Sequence, residues 1–279
     1  MTPTPLGRLR RRIAGEVVAI FNDRSRGEAP VVRRPEESWF GPRSVTWRVH
    51  GDVTSMMVGG VSSLLLQMLH PAVLAGVWDH SNFRADMHGR LRRTARFIAL
   101  TTYAAEADAR TAVARVRAIH GRVTGTLPDG TPYRADDPRL LAWVHATEVR
   151  SFLAAWRRYA EPGMTAADQD RYIDEMSRIG LALGADPVPR DRAGIEALIR
   201  SMRGDLRVDA RTTEVARLIF CQKQANRLVQ PAHALVMQAG VDLLPDWARR
   251  LHGLGRPIPA PLLRAGTYGI ARTLRWAFG

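Results

Sequence analysis

The sequence predicts an all-α protein built around one large helical domain. Apolar residues recur at spacings of three and four along most of the chain, and strand signals are nearly absent. No turn dipeptide joins two alternating segments, and only residues 44–53 (SVTWRVHGDV) favour an extended conformation. A chain of 279 residues with 46% apolar composition is long enough to bury a sizeable core, and no domain-sized linker interrupts it.

The periodicity places the helices in order, and several of their ends have a chemical reason. Asp137 followed by Pro138 is typical of an N-cap and a first-turn proline. Gly125 is expected to end the helix that contains His120, and the turn residues in 126–136 predict a connector. The predicted helices span residues 6–21, 52–69, 71–78, 88–104, 106–124, 137–160, 165–183, 192–203, 211–229, 231–240, 245–252 and 262–277.

The most apolar segment, residues 56–78, is long enough to cross a bilayer. It holds Gln67 and His70 in its second half, and Pro71 interrupts it. Because a proline ends the helix that precedes it, two buried helices are predicted here instead of a membrane span.

No secretory signal is expected, because the arginines at positions 8, 10, 11 and 12 precede an apolar segment that Glu16 interrupts. Helical spacing of apolar residues over 6–20 predicts an amphipathic helix, for which docking on the protein itself is favoured over membrane contact. Cys221 is the only cysteine, which excludes an internal disulfide. A cytoplasmic location is expected, with peripheral membrane association as the alternative.

The net charge of +14 first indicates a polyanionic partner. Residues 1–15 and 247–279 hold ten arginines and no acid, which leaves 31 basic against 27 acidic residues elsewhere. The predicted organisation is therefore a basic arm (1–35), a helical domain (36–255) and a second basic arm (256–279). The arms suit an anionic membrane surface, and no specific nucleic-acid binding is predicted.

Common nucleotide-binding, hydrolase and zinc-protease motifs are missing: there is no phosphate loop, G-x-G-x-x-G after a strand, G-x-S-x-G or H-E-x-x-H. The eight histidines are therefore the main candidates for metal-binding or catalytic residues. His120 shares a helical face with three valines and points inward, either as a core histidine or as a ligand. His70 and His80 are expected to line a pocket or to cap helices.

His145 also lies on an apolar stripe, and Glu148 follows it by one turn. Such an H-x-x-E pair can bind iron or zinc. A non-haem iron site of His120, His145 and Glu148 therefore stays open as one reading of the sequence.

Arg90 and Thr94 are one helical turn apart, so that a guanidinium and a hydroxyl face the same way. An arginine in this position can hold a carboxylate such as a haem propionate. The alternative is a solvated basic helix face, which suits Arg92 and Arg96 better than Arg90.

The chain resembles the DUF2236 family, which includes the latex clearing protein (rubber oxygenase) and the MpaB-type oxygenases. The resemblance covers roughly residues 40–245 and rests on the order and spacing of several short motifs. These are LQMLHPAV at 66–73, DHS at 79–81, GRLRRT at 89–94, IHGRVTG at 119–125, WVHAT at 143–147 and YIDEMSRIG at 172–180.

The resemblance implies a helical fold with a globin-like core that binds b-type haem and uses dioxygen. It assigns His120 as the proximal iron ligand, and Arg90 and Thr94 as haem-pocket residues. Arg93 occupies the place of a lysine that can ligate iron in the rubber oxygenase. Arginine is a poor ligand because it keeps its proton, so a doubly ligated iron is not expected here.

The distal base that the resemblance calls for has no counterpart, because no glutamate lies between Glu37 and Arg90. His70, His80 or Asp79 are the candidates for this role. Rubber cleavage is accordingly not expected. The expected function is a haem b-dependent oxygenase that uses dioxygen on a small hydrophobic substrate; the alternatives are the non-haem iron enzyme and a non-catalytic protein that contacts anionic membrane through its basic arms.

Overall fold

The computed structural model describes residues 4–21, 30–222 and 229–278. In these residues the chain is predominantly helical, which confirms the predicted all-α class. The helices are α1 (Pro5–Phe21), α2 (Val45–His50), α3 (Val53–Gln67), α4 (Pro71–His80), α5 (Met87–Tyr103), α6 (Glu106–His120), α7 (Pro138–Tyr159), α8 (Ala166–Leu183), α9 (Arg192–Ser201), α10 (Ala210–Phe220), α11 (Gln230–Leu243), α12 (Asp246–Leu251) and α13 (Ala260–Phe278), with a 3-10 turn at Arg203–Asp205.

Side-chain caps explain where several helices begin. Asp137 accepts hydrogen bonds from the backbone of Arg139 and Leu140 at 2.8 and 3.2 Å, ahead of Pro138 at the first turn, as predicted. Thr165 accepts from the Asp168 N–H at 3.1 Å. These bonds satisfy N–H groups that have no partner inside the helix. The predicted helix over 211–229 ends at Phe220, and its positions 223–228 lie outside the described residues.

The prediction of an extended segment at 44–53 is wrong, because Val45–His50 form α2. Ser44 caps this helix by accepting from the Trp47 N–H at 3.2 Å. The N–H of Thr46 donates to the Glu175 carboxylate at 2.8 Å, a contact made 129 positions along the chain. The β-branched residues favour a strand locally, and these caps override that preference.

The helix that contains His120 ends at that residue, four positions earlier than predicted. Gly125 is not its cap but lies in strand β1 (Thr124–Thr126), which pairs antiparallel with β2 (Pro132–Arg134). A Cβ at position 125 would lie 2.6 Å from the Tyr133 hydroxyl, so close packing of the hairpin explains the glycine.

The core forms where α3 packs along α7, with α11 and α13 on its other side. A Cβ at Gly59 would lie 2.7 Å from the Phe152 ring, so the glycine permits the approach of the two helices. Leu65 and Leu66 of α3 are fully buried. The predicted break at Pro71 is present: α3 and α4 meet at 105°. Within the described residues no single helix is long and apolar enough to cross a membrane, and only this bent pair passes on length and composition.

The C-terminal helix α13 packs on α3 and α11 and buries Leu263 and Ala271. Its arginines pair with acids of the core: Arg275 donates to Asp52 at 2.7 Å and Arg264 to Asp242 at 2.8 Å. Helix α1 lies beside α13, where Arg10 Nε donates to the Ala277 carbonyl at 3.3 Å. The boundaries of the two arms stay a prediction.

Candidate active site

A cavity of about 460 Å³ lies between α3 and α5. Helices α7 and α11 complete its boundary through Phe152 and Met237. Its volume falls in the range of small-molecule sites. The apolar part of the lining consists mainly of Val53, Met56, Met57, Val61 and Leu64 on α3 and of Leu91, Ala95, Ile98 and Ala99 on α5.

Three polar residues of the lining, His50, Tyr103 and Glu148, form what we call the polar end of the cavity. The lining also includes Arg33, Ser63, Gln67, His88, Arg92, Thr94, Arg96, Gln222 and His233. Two hydrogen bonds hold His50 in place. Its Nδ1 lies 2.8 Å from Thr102 Oγ1, and its Nε2 lies 3.0 Å from the Tyr172 hydroxyl. Burial lowers the pKa of His50 to about 3, so the ring is neutral. In a neutral ring one nitrogen donates and the other accepts, so both are satisfied here and His50 is held in place.

Glu148 of α7 and Tyr103 of α5 line the same cavity. Burial raises the pKa of Glu148 to about 7, and no charged or hydrogen-bonding partner contributes to that shift. The buried Tyr103 hydroxyl has no hydrogen-bond partner in the described ranges. Burial raises the pKa of Tyr103 to about 12, although the Arg33 guanidinium 4.7 Å above its ring opposes that shift.

Arg90 does not line the main cavity but borders a smaller one of about 50 Å³. The two cavities share Leu64, Gln67, Leu91 and Ile219, so they adjoin. Arg90 Nη1 donates to Ser81 Oγ at 3.1 Å, and no carboxylate of the described residues pairs with it. Burial, and then the neighbouring Arg93, lower the pKa of Arg90.

Thr94 lies one turn beyond Arg90 and lines the main cavity, whereas Arg90 borders the smaller one. Its hydroxyl also donates to the Arg90 carbonyl at 3.3 Å. The sequence-predicted pair is therefore brought to adjoining cavities along one side of α5.

His120, the last residue of α6, is half-buried, and its Nδ1 is buried without a hydrogen-bond partner among the described residues. Burial lowers the pKa of His120, nearby Asp136 raises it, and nearby Arg90 lowers it again. The His120 imidazole and the Arg90 guanidinium thus lie near each other. Arg90 is in the first turn of α5 and His120 is at the end of α6, far from the loop that connects the two helices. His120 itself lines neither cavity.

Three other predicted residues lie away from the cavities. Arg93 is exposed and pairs with Asp86 at 3.6 Å. His80 Nε2 lies 3.0 Å from the Thr124 carbonyl and so ties α4 to the hairpin. His70 stands at the N-cap of α4 without making a side-chain cap bond, and its Nδ1 is buried without a partner in the described chain.

Asp79, the third candidate for the distal base, is engaged elsewhere. It accepts from the Tyr133 hydroxyl at 2.8 Å and pairs with Arg211 at 3.5 Å. These contacts hold the carboxylate between the hairpin and α10, and neither His80 nor Asp79 lines either of the two cavities described above.

The alternative prediction of an iron site formed by His120, His145 and Glu148 is wrong. The described residues bring together no group of three His, Cys, Asp or Glu side chains with metal-binding geometry. His145 is buried against α8, where a Cβ on Gly180 would lie 2.8 Å from its Cδ2, whereas Glu148 lines the cavity. Burial lowers the pKa of His145 to about 4, and its Nε2 has no partner in the described part of the chain.

Sequence reasoning gives no role to His50 or Tyr103 and assigns Glu148 to a metal. His50 lies in the segment for which an extended conformation is predicted, and no motif marks Tyr103. The only sequence signal for Glu148 is a charged residue beside apolar positions of a long amphipathic helix.

Comparison with known proteins identifies the family. The family described as ER-bound oxygenase mpaB/B'/Rubber oxygenase, catalytic domain, matches residues 47–276. An uncharacterised protein of Mycobacterium bovis and one of Mycobacterium tuberculosis are each 26% identical over 162 residues, which cover 56% of this chain and 63% of the relative. No solved structure matches the chain. The chain therefore belongs to the MpaB and rubber-oxygenase catalytic-domain family, and it spans 63% of the length of the curated relatives it matches.

Proposed function

We propose that the protein is a haem b-dependent oxygenase that uses dioxygen on a small hydrophobic substrate bound between α3 and α5. The observation that supports this proposal is that Arg90, which borders the smaller cavity, lies near enough to His120 for its charge to lower the pKa of the imidazole. Arg90 is a part-buried cation without a described carboxylate partner, and His120 has a buried nitrogen without a described partner. Family membership supports the oxygenase class but does not name the cofactor or the substrate.

Arg90 and His120 supply two of the kinds of group that a b-type haem needs, but the smaller cavity of about 50 Å³ beside Arg90 would have to open to admit the macrocycle. A haem needs an axial ligand, apolar contacts for the macrocycle and cations for its propionates. His120 supplies a neutral imidazole, and Arg90 would hold a propionate in its bidentate fork. Val73, Val77 and Leu91 supply apolar contacts around the smaller cavity. When bound, the haem would supply the iron at which dioxygen is bound and activated.

The other side chains would bind and orient the substrate. The apolar side chains of α3 and α5 would contact the substrate, and Thr94 lies at the same cavity. Arg93 stays exposed and paired with Asp86, so no residue of the GRLRRT motif competes for the iron. A volume of about 460 Å³ suits a small molecule, which supports a substrate other than rubber.

The absorption spectrum of the purified protein tests this proposal. We expect a Soret band that responds to dithionite and carbon monoxide and is lost in His120→Ala. His252→Gln is the matched control, because His252 only bonds the Leu65 carbonyl at 2.7 Å and lines neither cavity.

Added imidazole should restore the band in His120→Gly, which separates loss of the ligand from loss of the fold. Far-UV circular dichroism of both variants provides the check on folding. A protein that stays colourless after reconstitution with haemin would overturn the proposal. A full Soret band in His120→Ala would also overturn the assigned ligand.

We also propose peripheral contact with an anionic membrane through α1 and α13. Leu6 and Leu9 of α1 are 62% and 50% exposed, and Trp276 of α13 is 39% exposed. Arg11 and Arg12 are exposed on α1 as well. Apolar side chains flanked by arginines are typical of helices that lie in the membrane interface.

Co-sedimentation with vesicles tests the membrane proposal. We expect binding to vesicles that contain phosphatidylglycerol, weak binding to pure phosphatidylcholine, and release in high salt because exposed charges are screened. Leu6→Ser with Leu9→Ser should weaken binding, whereas Leu181→Ser, an equally exposed leucine of α8, should not. Equal binding to both kinds of vesicle would count against the proposal.

A further inference from the structure

The polar end of the cavity holds two groups that an entirely apolar ligand would leave unsatisfied. Glu148 and Tyr103 both line the cavity. The Tyr103 hydroxyl is buried without a hydrogen-bond partner among the described residues, and no charged or hydrogen-bonding group contributes to the pKa shift of the half-buried Glu148. A buried polar group without a partner destabilises the state that contains it. A ligand that forms hydrogen bonds with both groups therefore binds more tightly than an apolar ligand that buries them without hydrogen bonds.

His50 brings the two groups to one end of the cavity. It bonds Thr102, the neighbour of Tyr103, and it bonds Tyr172, whose hydroxyl lies close enough to Glu148 for the carboxylate to raise its pKa. The Tyr103 hydroxyl itself would lie 4.0 Å from a Cβ on Gly51, the residue after His50. Both ring nitrogens of His50 already have a hydrogen-bond partner, so His50 is not expected to bind the ligand itself. Its role is to position the segments that carry Tyr103 and Glu148.

The chemistry of the two groups selects the kind of ligand. No described cation pairs with Glu148, and burial keeps its pKa near 7, so the carboxyl is largely protonated in slightly acidic solution. A protonated carboxyl and a phenol each donate one hydrogen bond and accept others. An alcohol hydroxyl also donates and accepts, so it can satisfy both groups, whereas an ammonium head would require the ionised carboxylate.

We propose that Glu148 and Tyr103 bind the hydroxyl group of an otherwise apolar alcohol in this cavity. The proposal rests on the proposed function in taking the cavity as the substrate site, and it names the substrate class. Glu148 and Tyr103 then determine specificity through their contact with the hydroxyl, while α3 and α5 hold the apolar body.

Calorimetric titration of the full chain at pH 6 tests the proposal with four probes of matched length. These are 1-decanol, 1-methoxynonane, decylamine and decanoate. Decanol and the ether have the same number of heavy atoms, but only the alcohol can donate. We expect decanol to bind about tenfold more tightly than the ether, as one additional satisfied hydrogen bond implies.

Glu148→Leu should reduce this preference to less than about twofold, and Tyr103→Phe should reduce it in part. Glu148→Gln retains a donor and an acceptor and should keep the preference. Met57→Leu, an apolar change in the same lining, is the matched control. The glutamine and phenylalanine variants keep the proposal testable if the leucine variant does not fold.

Equal binding of alcohol and ether would overturn the proposal, as would failure of decanol to bind at all. Tighter binding of decylamine or decanoate would assign a different head group and would overturn it as well. The Soret band of the same samples separates the two proposals. A haem-loaded protein without a preference for the alcohol refutes only the head-group site, and a haem-free protein with that preference refutes only the cofactor.

Discussion

The His145 imidazole lies against the backbone of Gly180, so that a Cβ at position 180 would come within 2.8 Å of Cδ2 and 3.0 Å of Nε2. This contact joins α7 to α8 behind the polar end of the cavity. The ring is buried and sits on the helix that carries Glu148. The separation of these two helices is therefore set by the absence of a side chain at position 180.

Gly180→Ala should destabilise the protein by about 1–3 kcal/mol, because the added methyl group forces the ring or a helix to move. The free energy of unfolding in urea measures the effect. Gly269→Ala is the control, since Gly269 is also helical, is exposed, and has no atoms within 4 Å of the place that a Cβ would take. That change should be neutral or stabilising by up to about 1 kcal/mol. Equal effects of the two changes would contradict the packing argument.

Two buried histidines should make the protein sensitive to acid. Burial lowers the pKa of His50 to about 3 and that of His145 to about 4, both from 6.5. The unfolded chain binds these protons below pH 6.5 and the folded chain does not. The stability that is fully present above pH 6.5 is therefore lost as the pH falls toward 4.

His145→Leu removes one such group. Between pH 6.5 and 5 the free energy of unfolding should then depend on pH less steeply, by about 1 kcal/mol per pH unit. The comparison of slopes stays valid even if the variant is less stable throughout. An unchanged slope would show that His145 is protonated in the folded protein.

Glu148 should have the opposite dependence on pH. Burial raises its pKa from 4.5 to about 7, so that as the pH rises from 4.5 the unfolded chain releases this proton before the folded chain does. The folded state is then progressively disfavoured up to pH 7. Glu148→Gln cannot ionise, and its unfolding free energy relative to the wild type should rise by about 3 kcal/mol between pH 4.5 and pH 8. An equal difference at both pH values would contradict an ionisable, buried carboxyl.

The sequence predicts the fold class and most helices because helical periodicity and caps such as Asp137 are local signals. It fails at α2, where the Ser44 cap and the bonds from Val45 and Thr46 to the distant Glu175 override β-branched residues. It also fails at Gly125, whose role depends on a ring in the following strand. Both errors arise from contacts that residue spacing does not encode.

For the candidate active site, too, only relationships between residues close in sequence can be predicted. Arg90 and Thr94 are four residues apart, which places both on one side of α5. This spacing can be read directly from the sequence. The position of Glu148 depends on which helices enclose the cavity, and an H-x-x-E spacing cannot distinguish a metal ligand from a cavity-lining acid. His50 reaches Thr102, the neighbour of Tyr103, only because α2 folds against α5.

The buried Asp242 should contribute much of the energy that holds the C-terminal segment against the rest of the protein. The Asp242 side chain is 0% exposed and pairs with Arg158 at 3.0 Å, Arg264 at 2.8 Å and Arg256 at 3.1 Å. Two of these arginines come from the segment that the sequence assigns to a basic arm. Their charge is therefore compensated within the fold and is not all available to an external anion.

Asp242→Asn leaves these arginines without their carboxylate and should destabilise the protein by about 3 kcal/mol, measured by urea unfolding. Asp174→Asn is the control: that carboxylate is 55% exposed and pairs with Arg190 at 2.9 Å, away from the Asp242 cluster, so its loss should matter by less than about 1 kcal/mol. A roughly fivefold increase in salt over ordinary buffers should diminish the second effect more than the first, because exposed pairs are screened and buried ones are not. Similar losses in the two variants would show that Asp242 is not the anchor of this segment.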